Sequence, residues 1–146
     1  MANMLRISDA ASLALHAAVM LAANPGKEVS TRRIASQLHA SEAHLSKVLQ
    51  RLAKAGLVTS MRGPKGGFML QRQGDEVRLL DVYEAIEGPL VPNKCLLGTP
   101  ICDGQCIFGD LLETVDRQVG DYLAGTNLSE LTDVYRSMAG AVQEAT

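Results

Sequence analysis

The chain has 146 residues, 47% of them apolar, with no Trp, two Phe and three Tyr. That is enough for one aliphatic core, or a small domain with an appended element, and no apolar run approaches the roughly 18–20 residues of a membrane span. The net charge of −2 conceals an asymmetry: residues 1–80 carry 11 Lys/Arg against 5 Asp/Glu, and residues 81–146 carry 3 against 11, so a polyanion is expected to meet only the first half.

The N-terminus, MANMLRISDAAS, lacks the apolar core and cleavage site of a secretory signal. A cytoplasmic, reducing setting is expected, in which three cysteines point to metal or redox chemistry before a disulfide framework. Residues 9–23 predict a helix with Ser8 as N-cap, ended by Asn24-Pro25-Gly26. Ser30 caps a second helix over 31–38, with Ile34, Ala35 and Leu38 on one face. After His39-Ala40, Ser41 caps a third helix over 42–55. There Leu45, Val48, Leu49 and Leu52 recur at i, i+3, i+4, i+7, and Gly56 follows the last turn.

Two short helices joined by so few residues form a helix-turn-helix. The outward face of the second offers Glu42, His44, Ser46, Lys47, Gln50, Arg51 and Lys54. Residues 57–61 and 68–70 have strand character around the turn Arg62-Gly63-Pro64-Lys65-Gly66-Gly67, a basic, glycine-rich hairpin tip. Glycine lets backbone approach phosphate closely while Arg and Lys neutralise it. A hairpin directly after a helix-turn-helix makes a winged helix, with Arg62 or Lys65 suited to a minor groove.

Residues 77–87 predict a short strand running into a short helix, stopped by Gly88-Pro89. Residues 89–105 are irregular and rich in Pro and Gly; the cysteines fall as Cys95-x6-Cys102-x3-Cys106. From about 107 a long helix is expected, with Phe108, Leu111, Leu112, Val115, Val119 and Tyr122 as an apolar stripe and an opposite acidic face. Such a stripe must be buried on another element or a partner chain. A terminal helical piece is expected over 130–142.

The run ASEAHLSKVLQRLAKAGLVTSMRGPKGGFMLQR at 40–72, with DVYEAIEG at 81–88 and LALHAAVMLA at 13–22, resembles the IscR/NsrR-type family of winged-helix regulators, the Rrf-two superfamily. The resemblance covers roughly residues 4–135. It implies a mainly α fold with a small β wing, in which a winged helix-turn-helix head is followed by a long C-terminal dimerisation helix. It also implies a homodimer whose two heads meet a two-fold symmetric double-stranded operator. Many family members hold an iron–sulfur cluster in the loop before the long helix, and its loss, oxidation or reaction with nitric oxide changes DNA affinity. Others hold no cluster.

Three organisational units are expected: a DNA-binding head at 1–80, a connecting helix and cysteine loop at 81–106, and a dimerisation helix with a terminal segment at 107–146. Base contacts are assigned to His44, Lys47, Gln50 and Arg51, supported by Ser41 and Ser46. Arg32 and Arg33 are assigned to phosphate, and Arg62, Lys65 and Gly66 to the wing. Cys95, Cys102 and Cys106 are candidate cluster ligands, since thiolates suit [2Fe–2S] and [4Fe–4S] units. The spacing departs from the family's wider gap before the last Cys, and Ile107-Phe108-Gly109 offers no His after it. A fourth ligand would then come from the partner's first helix, where Asp9, Ser12 and His16 are candidates.

The expected function is a dimeric, metal-binding repressor that reads iron, redox state or nitric oxide. The alternative is a cluster-free regulator answering thiol oxidation, zinc or a small molecule. An enzyme is not expected. No nucleophile–base–acid set occurs, and GPKGG is too short for a nucleotide-binding loop.

Overall fold

The structure, a computed structural model, describes residues 6–63 and 66–135. Helix α1 (Asp9–Ala22) begins where the Ser8 hydroxyl accepts from the Ala11 N–H at 3.1 Å. Ala11, Ala14, Ala17 and Ala18 are essentially inaccessible, as are Met20 and Leu21. Four alanines let neighbouring helices approach closely, so α1 becomes the central rod of the head.

Helix α2 (Thr31–Leu38) and helix α3 (Glu42–Lys54) pack on α1 and on each other. Both start with a serine whose hydroxyl accepts from the third residue on: Ser30 from Arg33, Ser41 from His44, each at 3.1 Å. The turn between them passes through His39, which adopts a left-handed backbone with φ 52°. Ile34 of α2 and Leu45, Leu49 and Leu52 of α3 are fully buried. Truncating any of these leucines to Ala would cost about 2–5 kcal/mol.

The expected hairpin is present as β2 (Val58–Met61) and β3 (Gly67–Leu70), antiparallel with Met61 opposite Gly67 and Val58 opposite Leu70. A third strand, β1 (Val29–Ser30), pairs with β3 through Val29–Phe68 and Ser30–Gly67, giving the order β1-β3-β2. A Cβ at Gly67 would meet the Glu28 side chain at 2.6 Å and the Val29 carbonyl at 2.8 Å. Only glycine lets β1 close on the wing there.

The strand expected before residue 80 reduces to a single bridge, Arg78 to Asn127, flanked by Leu79 N–H to Thr126 and Leu128 N–H to Val77, both 2.9 Å. It is cut short because helix α4 (Leu79–Glu87) starts at once. Arg78 and Asp81 bond across its first turn, and Gly88 with φ 82° ends it.

Helix α5 (Leu111–Gly125) begins later than the expected 107. Gly109 adopts φ 58° and donates to the Cys106 carbonyl at 3.0 Å, making a tight turn where a first helical turn was expected. A short 3-10 turn at Leu128–Leu131 follows, and helical backbone resumes at 133–135. The remainder of the terminal piece, 136–142, lies outside the described residues. No helix among the described residues is long and apolar enough to cross a membrane.

Candidate nucleic-acid interface and cysteine loop

The polar face of α3 is exposed at Ser41, Glu42, His44, Lys47, Gln50 and Arg51, while Ser46 is half-buried. The periodicity that buries Leu45, Val48, Leu49 and Leu52 leaves these positions outward. Arg32 and Arg33 stand exposed in the first turn of α2. The α2 cap Ser30, Thr31 and Arg32 from α2, Glu42, Ala43 and Ser46 from α3, and Gly66 from the wing line one cleft of about 650 Å³. The start of α2, the start of α3 and the hairpin tip therefore share a side of the head. Arg62 is exposed beside that tip, and Lys65 lies outside the described residues.

Four of the predicted contacts are already engaged. The Ser41 hydroxyl is used as a cap, which sets where α3 begins. Gln50 Nε2 lies 3.4 Å from Ser46 Oγ. Arg51 is the larger departure: its guanidinium donates to the backbone carbonyl of Ile86 at the end of α4. It ties α3 to the end of α4, although by helical spacing it shares the face of His44 and Lys47 and is itself exposed. Glu42, which sequence reasoning left out of the contact set, lines the cleft instead, with its carboxylate 3.9 Å from Arg32 Nε. Its position in the first helical turn was a usable signal.

The loop from Gly88 to Asp110 has no strand or helix. It meets α5 where the Asn93 N–H donates to the Asp116 carboxylate and where Leu90 packs beside Gly120. Asn93 Oδ1 accepts from the Cys95 N–H at 3.1 Å, and Cys106 Sγ accepts from the Phe108 N–H at 3.5 Å. Cys95 and Cys106 are half-buried and Cys102 is exposed; all three are free thiols. Val91, Leu96, Leu97 and Ile101 are exposed too, and Ile107 is 94% exposed. Apolar burial therefore holds this loop only at Leu90, which packs against the core, and not over its cysteine-bearing stretch.

As a donor set the three thiols suit an iron–sulfur unit. No group of three or more His, Cys, Asp or Glu able to hold a metal forms among the described residues of the single chain, so the structure does not gather the predicted ligands. Asp9 is exposed and Ser12 half-buried on α1. His16 is exposed, and its Nδ1 lies 2.7 Å from the Ser12 carbonyl. A carbonyl only accepts, so this contact is made with the ring proton on Nδ1 and leaves Nε2 facing away from it.

His16 borders an apolar cleft of about 480 Å³ between α1, α5 and residues 131–135, lined by Leu15, Val19, Tyr122, Val134 and Tyr135 among others. Burial pushes the Tyr135 phenol above its ordinary pKa. Beside this cleft the α5 stripe remains open: Leu111, Val115 and Tyr122 are 48%, 39% and 58% exposed. Contiguous apolar surface of this kind marks an interaction face.

These features define a winged helix-turn-helix transcription regulator with a long C-terminal helix. The chain belongs to the Rrf2 family, described as iron-dependent transcriptional regulators, which it matches over residues 7–134. A protein of Aquifex aeolicus with the provisional name HTH-type transcriptional regulator is 31% identical over 131 residues, 87% of this chain and 91% of that one. The structure of CymR, the global cysteine regulator of B. subtilis, superposes with a TM-score of 0.74 at 28% identity, covering 90% of this chain and 98% of that one. The T. potens IscR structure superposes with a TM-score of 0.70 at 26% identity, covering 92% and 91%.

Proposed function

We propose that the protein is a homodimeric repressor whose operator affinity is set by an iron–sulfur cluster at Cys95, Cys102 and Cys106. The observation that carries this is the position and state of the loop. It joins the head to α5, it bears all three cysteines, and its apolar side chains from Val91 to Ile107 stand in solvent. Ligated by three thiolates and a fourth donor from the partner's α1 (Asp9, Ser12 or His16), the loop would acquire the order that its own hydrogen bonds do not supply. A bound cluster supplies chemistry that answers oxygen, nitric oxide or iron supply.

The DNA side of the proposal uses the shared cleft. His44, Lys47 and Gln50 face the major groove, with Ser41 and Ser46 fixing the start and pitch of α3. Arg32 and Arg33 neutralise phosphate, while Arg62, Lys65 and Gly66 form the wing contact. Arg51 acts as a brace between α3 and α4. Two heads joined through α5 present two recognition helices, so the angle between heads determines whether both half-sites are met at once.

A second reading has its own support. The ligands do not converge within one chain, Cys102 is an exposed free thiol, and a cysteine regulator is among the structural neighbours. On that reading the same loop answers thiol oxidation or zinc without a cluster. An ultraviolet–visible spectrum with iron and sulfide analysis on protein purified without oxygen separates the two. Broad sulfide-to-iron absorption with matched iron and sulfide supports the cluster; colourless protein that stays colourless after reconstitution rejects it in favour of the thiol or zinc switch.

A further inference from the structure

We infer that Glu42 is a specificity-determining residue, reading the exocyclic amino group of a cytosine in the major groove with Arg32 as the group that positions it. The inference rests on the DNA-binding reading and adds to it. Four observations carry it. Glu42 is the first residue of α3, and the N-terminal residues of a recognition helix are the ones that meet base edges. Its side chain is 60% exposed and lines the cleft shared by the start of α2 and the wing glycine Gly66. Its carboxylate lies 3.9 Å from Arg32 Nε, and both side chains line that cleft. And it is acidic, in a half of the chain with only 5 acidic residues against 11 basic ones.

The chemistry follows from charge and hydrogen-bonding type. A carboxylate only accepts hydrogen bonds. Facing DNA it is repelled by phosphate and by the acceptor-rich edge of guanine, and it is satisfied by the N4 amino group of cytosine. It therefore lowers affinity for most sequences and rejects them more than it rejects a half-site with cytosine at the facing position. Specificity of this kind arises as much from repulsion of wrong partners as from attraction to the right one. Arg32, 88% exposed, stays free to reach phosphate while holding the carboxylate over the groove.

A plainer role exists: an acid in the first turn stabilises any helix through its dipole. The test separates the roles. Half-sites are selected from a random duplex library with the unaltered protein, Glu42→Ala, Glu42→Gln and Arg32→Ala, and thermal unfolding is recorded for each. The unaltered protein is expected to enrich cytosine at one position per half-site by about tenfold or more, the size of a direct base contact. Glu42→Ala should lose that preference alone, keep the other positions, and bind mixed-sequence DNA more tightly. Glu42→Gln should move the preference toward adenine, and Arg32→Ala should weaken it at the same position. Glu42→Ala that binds every sequence more tightly by one factor, with the selected pattern intact, overturns the inference while leaving the DNA-binding reading standing. An unaltered protein that enriches no sequence overturns both.

Discussion

The guanidinium of Arg51, in the recognition helix, donates to the backbone carbonyl of Ile86, in the last turn of α4. One residue further on, the Glu87 carboxylate accepts from the Ser8 hydroxyl that caps α1. The end of α4 is thus the point where α1, α3 and the start of the cysteine loop are joined. A charged donor on a carbonyl of this kind contributes roughly 1.5–3 kcal/mol. Arg51→Ala should lower folding stability by about that amount, read as a shift in urea midpoint, with base preference retained. Unchanged stability together with altered base preference would return Arg51 to the groove.

His39 holds the helix-turn-helix corner in a left-handed conformation at φ 52°. That conformation costs a residue with a Cβ about 1–2 kcal/mol, and glycine almost nothing. His39→Gly should leave stability unchanged or raise it by up to about 1 kcal/mol, and His39→Val should lower it by more than about 1 kcal/mol. Chemical denaturation of both variants checks the pair, and equal midpoints would contradict the assignment.

Asp81 is held below the usual carboxylate range by its hydrogen bond from Arg78, an effect that outweighs the opposing influence of burial. A lowered folded pKa stabilises the protein above the unfolded value of about 4, and the contribution disappears as pH falls through the folded value. Asp81→Asn should therefore be less stable than the parent at neutral pH, and the difference should shrink as pH falls through the folded pKa of Asp81. A constant difference across that range would show that the effect is not electrostatic.

The open stripe on α5 predicts the assembly. Tyr122→Glu or Val115→Glu places a charge where an apolar partner face is expected, and burying an unpaired carboxylate is strongly unfavourable. Sedimentation should show monomers for either variant at concentrations where the parent is a dimer. Operator affinity should fall with it, since one head makes half the contacts. A parent that sediments as a monomer would refute the proposed homodimer.

Much of the head was legible because its signals are local. Ser8, Ser30 and Ser41 each cap the helix they precede, and the buried leucines of α3 follow one period. The hairpin was legible from its glycine-rich turn. What escaped depends on distance along the chain. β1 has two residues and no pattern of its own; it exists because Gly67 lets it close on the wing. The Arg51–Ile86 bond spans 35 positions and needs α4 already docked. The start of α5 was misplaced because the apolar stripe runs back through Phe108, past the Gly109 turn that stops the helix. The cysteines were legible as a donor set, but no group of three or more such donors comes together among the described residues of one chain.

The central claim is that the cysteine loop governs DNA affinity. The most direct measurement is operator binding by protein prepared without oxygen, before and after removal of iron and sulfide, beside a Cys95→Ala, Cys102→Ala, Cys106→Ala variant. The parent should change affinity by about fivefold or more on removal, the size of a typical coupling between sites, and the variant should match the stripped parent under both conditions. A parent that contains iron and sulfide yet binds the operator equally well before and after their removal would contradict the account.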